Sequence, residues 1–214
     1  MIELPGSGYF VTGTDTGVGK THASCWLLQQ WSQQGRRAVG MKPVAAGDDG
    51  DAKALSRAGG VPVPANWLCP YPLHDPVSPH VAAAREGIEI DLRHIQYAYS
   101  QLAAMAEVVL VEGAGGWLVP LSPGLDIAGL AHSLRLPVIL VVGMRLGCLN
   151  HALLTVAAIA GSGCTLAGWI ANRIDPQMAA YADNLATLRE RINAPLLAEL
   201  PWLQPAAGQL PLCR

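Results

Sequence analysis

Val11-Thr12-Gly13-Thr14-Asp15-Thr16-Gly17-Val18-Gly19-Lys20-Thr21 joins an apolar run, Tyr9 to Thr12, to a helical pattern from about Lys20 to Gln34 that stops at Gly35. A strand, a glycine-rich turn and a helix opened by Lys-Thr are the context a phosphate-binding loop requires. Small residues let the backbone curl until successive N–H groups point at phosphate oxygens, and the positive end of the helix dipole adds to the attraction. Lys20 would then reach the β and γ oxygens and the Thr21 hydroxyl would ligate Mg²⁺. The strict pattern places a Gly with four residues between it and Gly19-Lys20. This chain has Thr14 there, with Gly13 one place earlier.

Outward from the loop, short apolar runs alternate with helix-length segments. The runs are Ala38 to Met41, Val108 to Val111, Val138 to Val142 and Leu166 to Ala171, with Pro195 to Leu200 as a candidate last strand. They are continuous rather than alternating, the mark of strands covered on both faces. Asp91 to Ala106, Ile127 to Leu134, Asn150 to Ala160 and Gln177 to Ile192 supply the crossover helices. The expected architecture is one α/β domain over residues 1–214, a doubly wound and mostly parallel sheet with helices on both faces, of the P-loop NTPase type. The proline-rich stretch Val61 to Pro79 reads as a surface excursion and the tail after Trp202 as irregular.

Composition narrows the function. With 214 residues, 51% of them hydrophobic and 14% charged, the chain can bury about 70% of its unfolded surface without disulfides or metal. A net charge of −2 gives no basic field for nucleic acid or acidic lipid. The longest uncharged stretch, Leu146 to Asn172, is broken by Gly161-Ser162-Gly163 and reads as helix, turn and strand rather than a membrane span. No secretory pattern is visible in Met1 to Gly8. The five cysteines are scattered and form no C-x-x-C pair, which suits thiols in a reducing cytoplasm. The six histidines show no paired metal spacing, and no G-x-S-x-G elbow is present.

Of fourteen basic residues only Lys20, Lys42 and Lys53 are lysines. Lys42 ends a buried run and is followed by Pro43, and Glu112 ends another, just before Gly113-Ala114-Gly115-Gly116. Parallel strands put their carboxyl ends on one edge of the sheet, so Lys42, Glu112 and the phosphate loop should converge there. A carboxylate at that edge suits Mg²⁺. A second ammonium suits chemistry that handles more negative charge than a triphosphate alone. Asp51 and Lys53, in a polar glycine-rich segment, read from the residues alone as solvated loop groups. Ser78-Pro79-His80 and Cys148 to His151 stand at helix starts, where capping explains them as well as ligand contact does.

These blocks resemble the dethiobiotin synthetase family. The resemblance rests on Gly13 to Thr21, Lys42-Pro43-Val44-Ala45, Ser78-Pro79-His80, Val111 to Trp117, Leu146 to Ala152 and Pro201-Trp202-Leu203, in the family's order over nearly the whole chain. It implies a homodimeric cyclo-ligase that uses CO₂, diaminopelargonic acid and ATP, with Mg²⁺. By matched position Lys42, Lys20 and Thr16 would contact the carbamate and the transferring phosphoryl group. Thr21, Asp51 and Glu112 would hold the metal. Gly17, Val18, Gly19, His22, Gly113, Ala114, Gly115, Asn172, Arg173, Pro201, Trp202 and Leu203 would complete the nucleotide site. The chain departs from the family at Gly17, where an acid is usual, at Ala46, where a serine is usual, and in a tail without an acid after Trp202. The rival reading is a partitioning-type ATPase switch, but that group carries a lysine at the position of Asp15.

Overall fold

The computed structural model describes residues 4–202. Its centre is a six-stranded sheet built from β1 (Gly8–Gly13), β2 (Ala38–Met41), β5 (Val108–Gly116), β8 (Val138–Met144), β9 (Leu166–Arg173) and β10 (Leu196–Leu200). The spatial order is β10-β9-β8-β1-β5-β2, and every neighbouring pair is parallel. Each of the six strands falls on one of the apolar runs of the sequence, but β5 does not stop at Val111: it continues through Glu112 to Gly116, so Glu112 lies inside the strand and not after it.

Within each run, successive side chains enter opposite cores. Tyr9, Val11, Leu110, Val141 and Ile170 pack with Leu27, Leu28 and Trp31 of α1 (Lys20–Gln33) and Leu55 of α2 (Gly50–Ala58). Phe10, Val111, Leu140, Val142 and Trp169 face the other way. They meet Ile95 and Leu102 of α5 (Leu92–Met105), Ile127 and Leu130 of α6 (Ile127–Leu134), Ile159 of α7 (Cys148–Gly161) and Leu188 of α8 (Tyr181–Arg191). Helices therefore cover both faces, which is why the runs carry no polar alternation. Asp91 and Asp126 start α5 and α6 by accepting the backbone N–H of Arg93 and Gly129.

Two segments differ from the sequence reading. Asp51 and Lys53 lie on α2, a helix and not a loop. Its single buried stripe, Ala52 and Leu55, spans too few turns to stand out as periodic. The stretch Val61 to Pro79 is also more structured than a surface excursion. It holds α3 (Ala65–Leu68) and β4 (Tyr71–Leu73), and Pro79 begins α4 (Pro79–Glu86). β4 pairs in parallel with β3 (Val44–Ala46), and Leu68, Tyr71 and Leu73 are buried. A minor antiparallel pair, β6 (Pro120–Ser122) with β7 (Leu125–Asp126), leads into α6. The helix starts at Pro79 and Cys148 agree with the sequence, but neither Ser78 nor Gly147 makes a side-chain cap. No helix among the described residues is long and apolar enough to cross a membrane. Cys25, Cys69, Cys148 and Cys164 are all thiols, and burial raises the thiol pKa of each, to about 11 at Cys25 and Cys69.

Candidate active site

The strand order places β1 between β5 and β8, so the loop after β1 opens into a crevice at the carboxyl edge of the sheet. The loop is held in shape by its own atoms. Asp15 Oδ1 accepts the Thr16 N–H at 2.7 Å, and Thr14 N–H donates to Val141 O at 3.0 Å. Gly17 and Gly19 have φ of 73° and 84°, a region where a side chain is strained. At Gly19 an added Cβ would also collide with Asn172 Nδ2. The departure at Gly17 thus falls where glycine fits without strain. α1 begins without a side-chain cap and without an acid in its first turn, so its N-terminal dipole faces the crevice uncancelled.

Lys20 is buried and donates to Asp15 O at 3.2 Å. Burial, reinforced by the nearby Lys42 ammonium, lowers its pKa to about 8. Lys42 follows β2, whose last residue Met41 lies opposite Val111, so the next step brings Lys42 beside Glu112. Lys42 Nζ lies 2.6 Å from Glu112 Oε1, 2.8 Å from Asp51 Oδ2 and 3.2 Å from Gly113 O. Burial works against the Lys42 ammonium, yet the Glu112 and Asp51 carboxylates outweigh it and the pKa is raised. Lys42 is therefore a fixed cation and not a proton carrier. The same ammonium outweighs the desolvation of Asp51 and lowers its carboxyl pKa.

The Thr21 hydroxyl completes the cluster at 2.8 Å from both Asp51 Oδ1 and Glu112 Oε1. One hydroxyl proton satisfies only one of these contacts. Glu112 Oε2, with the residue fully buried, has no hydrogen-bond partner. Two carboxylates and a hydroxyl with an orphaned oxygen form an all-oxygen set that fits Mg²⁺, a metal that takes few protein ligands beside phosphates and waters. No group of three or more His, Cys, Asp and Glu gathers as a metal site among the described residues.

The remaining predicted residues lie around this cluster with unequal engagement. Asn172, at the end of β9, donates to Val18 O at 2.8 Å, and its Oδ1 lies 3.4 Å from His22 Nδ1. Thr16 is exposed on the loop, while Ala114 and Gly115 continue β5 beside it. Arg173 turns away: its guanidinium donates to Pro176 O at 3.0 Å and stacks 4.9 Å over the Tyr181 ring. Pro201 and Trp202 follow β10, and Leu203 falls outside the described residues. Sequence reasoning missed one participant, Arg145, whose Nη2 lies 2.8 Å from Asp15 Oδ2. No local signal in the sequence marks this pair, because Arg145 reaches Asp15 only through β8 lying beside β1.

Fold and loop together define a P-loop nucleotide-binding α/β protein, and residues 7–209 match the family model described as an AAA domain. A ParA family ATPase from Chlorobium tepidum shares this fold, with a TM-score of 0.57 at 12% identity, over 92% of this chain and 85% of that one. The chain belongs to the ATP-dependent dethiobiotin synthetase family. It is 51% identical over 203 residues to the ATP-dependent dethiobiotin synthetase of Nitrosospira multiformis, covering 93% of this chain and 90% of the relative. Against that of Aromatoleum aromaticum the identity is 54% over 206 residues, with 92% of each covered.

Proposed function

We propose that this chain forms dethiobiotin from 7,8-diaminopelargonic acid, CO₂ and ATP. One amine nitrogen adds to CO₂ and loses a proton, giving a carbamate. A carbamate oxygen attacks the γ-phosphorus and ADP leaves, giving a carbamic-phosphoric anhydride. The second amine then attacks the carbamoyl carbon, phosphate departs with the oxygen, and a proton is lost as the ureido ring closes.

The observation that carries this reading is the convergence of Lys42, Glu112, Asp51 and Thr21 at the mouth of the phosphate loop. Attack of one anion on another is favoured by positioning and by fixed positive charge. Lys42 supplies that charge without titrating, and Lys20 turns from Asp15 O toward phosphate oxygens. Thr16, exposed beside them, offers a hydroxyl donor. Thr21, Asp51 and Glu112 would hold Mg²⁺, which would neutralise charge on the β- and γ-phosphates. Gly17, Val18, Gly19, His22, Gly113, Ala114 and Gly115 would shape the phosphate side, and Asn172 with Pro201, Trp202 and Leu203 the base side. Arg173 would join them only by leaving Tyr181. In this reading the chain acts as one domain, as a homodimer and in the cytoplasm.

The test is an assay of the purified protein with ATP, Mg²⁺, bicarbonate and the diamine, detecting dethiobiotin by mass. ADP release that needs both the diamine and CO₂ is the expected result. ATP hydrolysis without either, stimulated instead by DNA or membrane, would favour the switch.

A further inference from the structure

An acid inside a phosphate-binding loop is electrostatically adverse, because its charge repels the ligand the loop exists to hold. Asp15 occupies such a position. One carboxylate oxygen is used within the loop on the Thr16 N–H, and the backbone carbonyl of the same residue receives Lys20 Nζ. The other oxygen faces Arg145 at 2.8 Å, across 130 residues of sequence, in the segment between β8 and α7. Next to this pair, Thr14 N–H donates to Val141 O and Thr14 Oγ1 accepts the Gly143 N–H at 3.4 Å. The first half of the loop is therefore tied to the end of β8 through three separate contacts.

We propose that Arg145 is a positioning residue for nucleotide binding: it cancels the Asp15 charge and holds that carboxylate in its loop-shaping contact with Thr16. This role rests on the reading that the loop binds ATP. Arg145 itself acts through Asp15 and does not touch the nucleotide. Both side chains are nearly half exposed, 43% for Arg145 and 47% for Asp15, so the pair adds little to overall stability and substitutions there leave a folded protein. The effect falls on the loop.

Charge cancellation makes an asymmetric prediction that a simple strap does not. Arg145→Met leaves an uncompensated carboxylate in the loop, and the Kd for Mg-ATP should rise about fivefold at low salt, less at ~0.5 M salt. Asp15→Asn removes the adverse charge and keeps a hydrogen-bond acceptor, so its Kd should equal or fall below that of the unaltered chain. The double variant should return to within about twofold, the signature of a coupled pair. Arg145→Lys should keep most of the affinity, and in turnover Arg145→Met should raise KM for ATP more than it lowers kcat.

Calorimetric titration with Mg-ATP measures all four variants. An Arg145→Met protein that binds like the unaltered chain would overturn the role. So would an Asp15→Asn protein as impaired as Arg145→Met, which would mark the pair as a strap alone. Failure of the unaltered chain to bind nucleotide would overturn the ligase reading along with this one, a result distinct from the other two.

Discussion

The Lys42 ammonium, just past the end of β2, lies 2.6 Å from Oε1 of Glu112, which sits within the neighbouring strand β5, and both side chains are buried. Removing one partner of a buried ion pair leaves the other charge uncompensated, at a cost of about 3–5 kcal/mol. Lys42→Ala should therefore lower the melting temperature and abolish dethiobiotin formation, by at least ~100-fold given the usual weight of fixed charge in such steps. Nucleotide binding should persist. A folded variant with near-normal turnover would remove Lys42 from the mechanism.

Glu112 and Asp51 should contribute unequally to metal use. The Glu112 side chain is 0% exposed and that of Asp51 46%, so water can replace an Asp51 oxygen far more readily than one from Glu112. Glu112→Gln should shift the Mg²⁺ concentration for half-maximal activity upward by more than Asp51→Asn does. Mn²⁺ binding followed by paramagnetic resonance checks the order without relying on turnover. The reverse order would assign the main ligand to Asp51.

The three lysines of the sequence allow a direct titration. With ¹³C-labelled lysine, the nucleotide- and metal-free protein should show Lys20 deprotonating at about 8, while Lys42 stays charged over the same range. The sign for stability follows. The unfolded chain holds the Lys20 proton up to 10.5 and the folded chain only to about 8, so between those values this group adds stability as pH rises. Lys42 has the opposite shift, and its contribution is lost as pH climbs beyond 10.5 through its raised folded value. A Lys20 resonance still fully protonated at pH 9 would contradict the burial argument.

Gly19→Ala should be more damaging than its size suggests. The φ of 84° and the Asn172 amide in the path of a Cβ together force the loop to open or Asn172 to leave Val18 O. The left-handed conformation alone costs about 1–2 kcal/mol for a side-chain-bearing residue. Thermal unfolding and nucleotide affinity should both fall. Gly35→Ala, with φ of 78° but nothing near its Cβ position, should affect stability without the loss of affinity.

The central sheet was legible in the sequence because strands buried on both faces need uninterrupted apolar side chains, and every such run became a strand. Lys42 and Thr21 were legible as well, since Lys42 follows an obvious strand and Thr21 stands in the first turn of an obvious helix; Glu112 was legible as the acid closing an apolar run, although its strand continues to Gly116. Asp51 was not legible from the residues alone: its helix α2 is nine residues long with two buried positions, below what a 3.6-residue period can reveal. Only the family resemblance raised it. The contact of Arg145 with Asp15 left no local trace, because the pairing depends on β8 lying beside β1, a fact of strand order and not of spacing.

Asp51 and Glu112 reach the same ammonium from supports of different firmness. β5, which carries Glu112, is hydrogen-bonded on both sides, to β1 and β2, so Glu112 stays in place unless the sheet itself comes apart. α2 is short and rests against α1 and β2 at the rim, and segments of this kind open locally at a fraction of the global unfolding free energy. The cluster thus has one wall that is permanent and one that is hinged. Amide protons of α2 should exchange with deuterium well before those of β5, and bound nucleotide with metal should slow the first set while leaving the second unchanged.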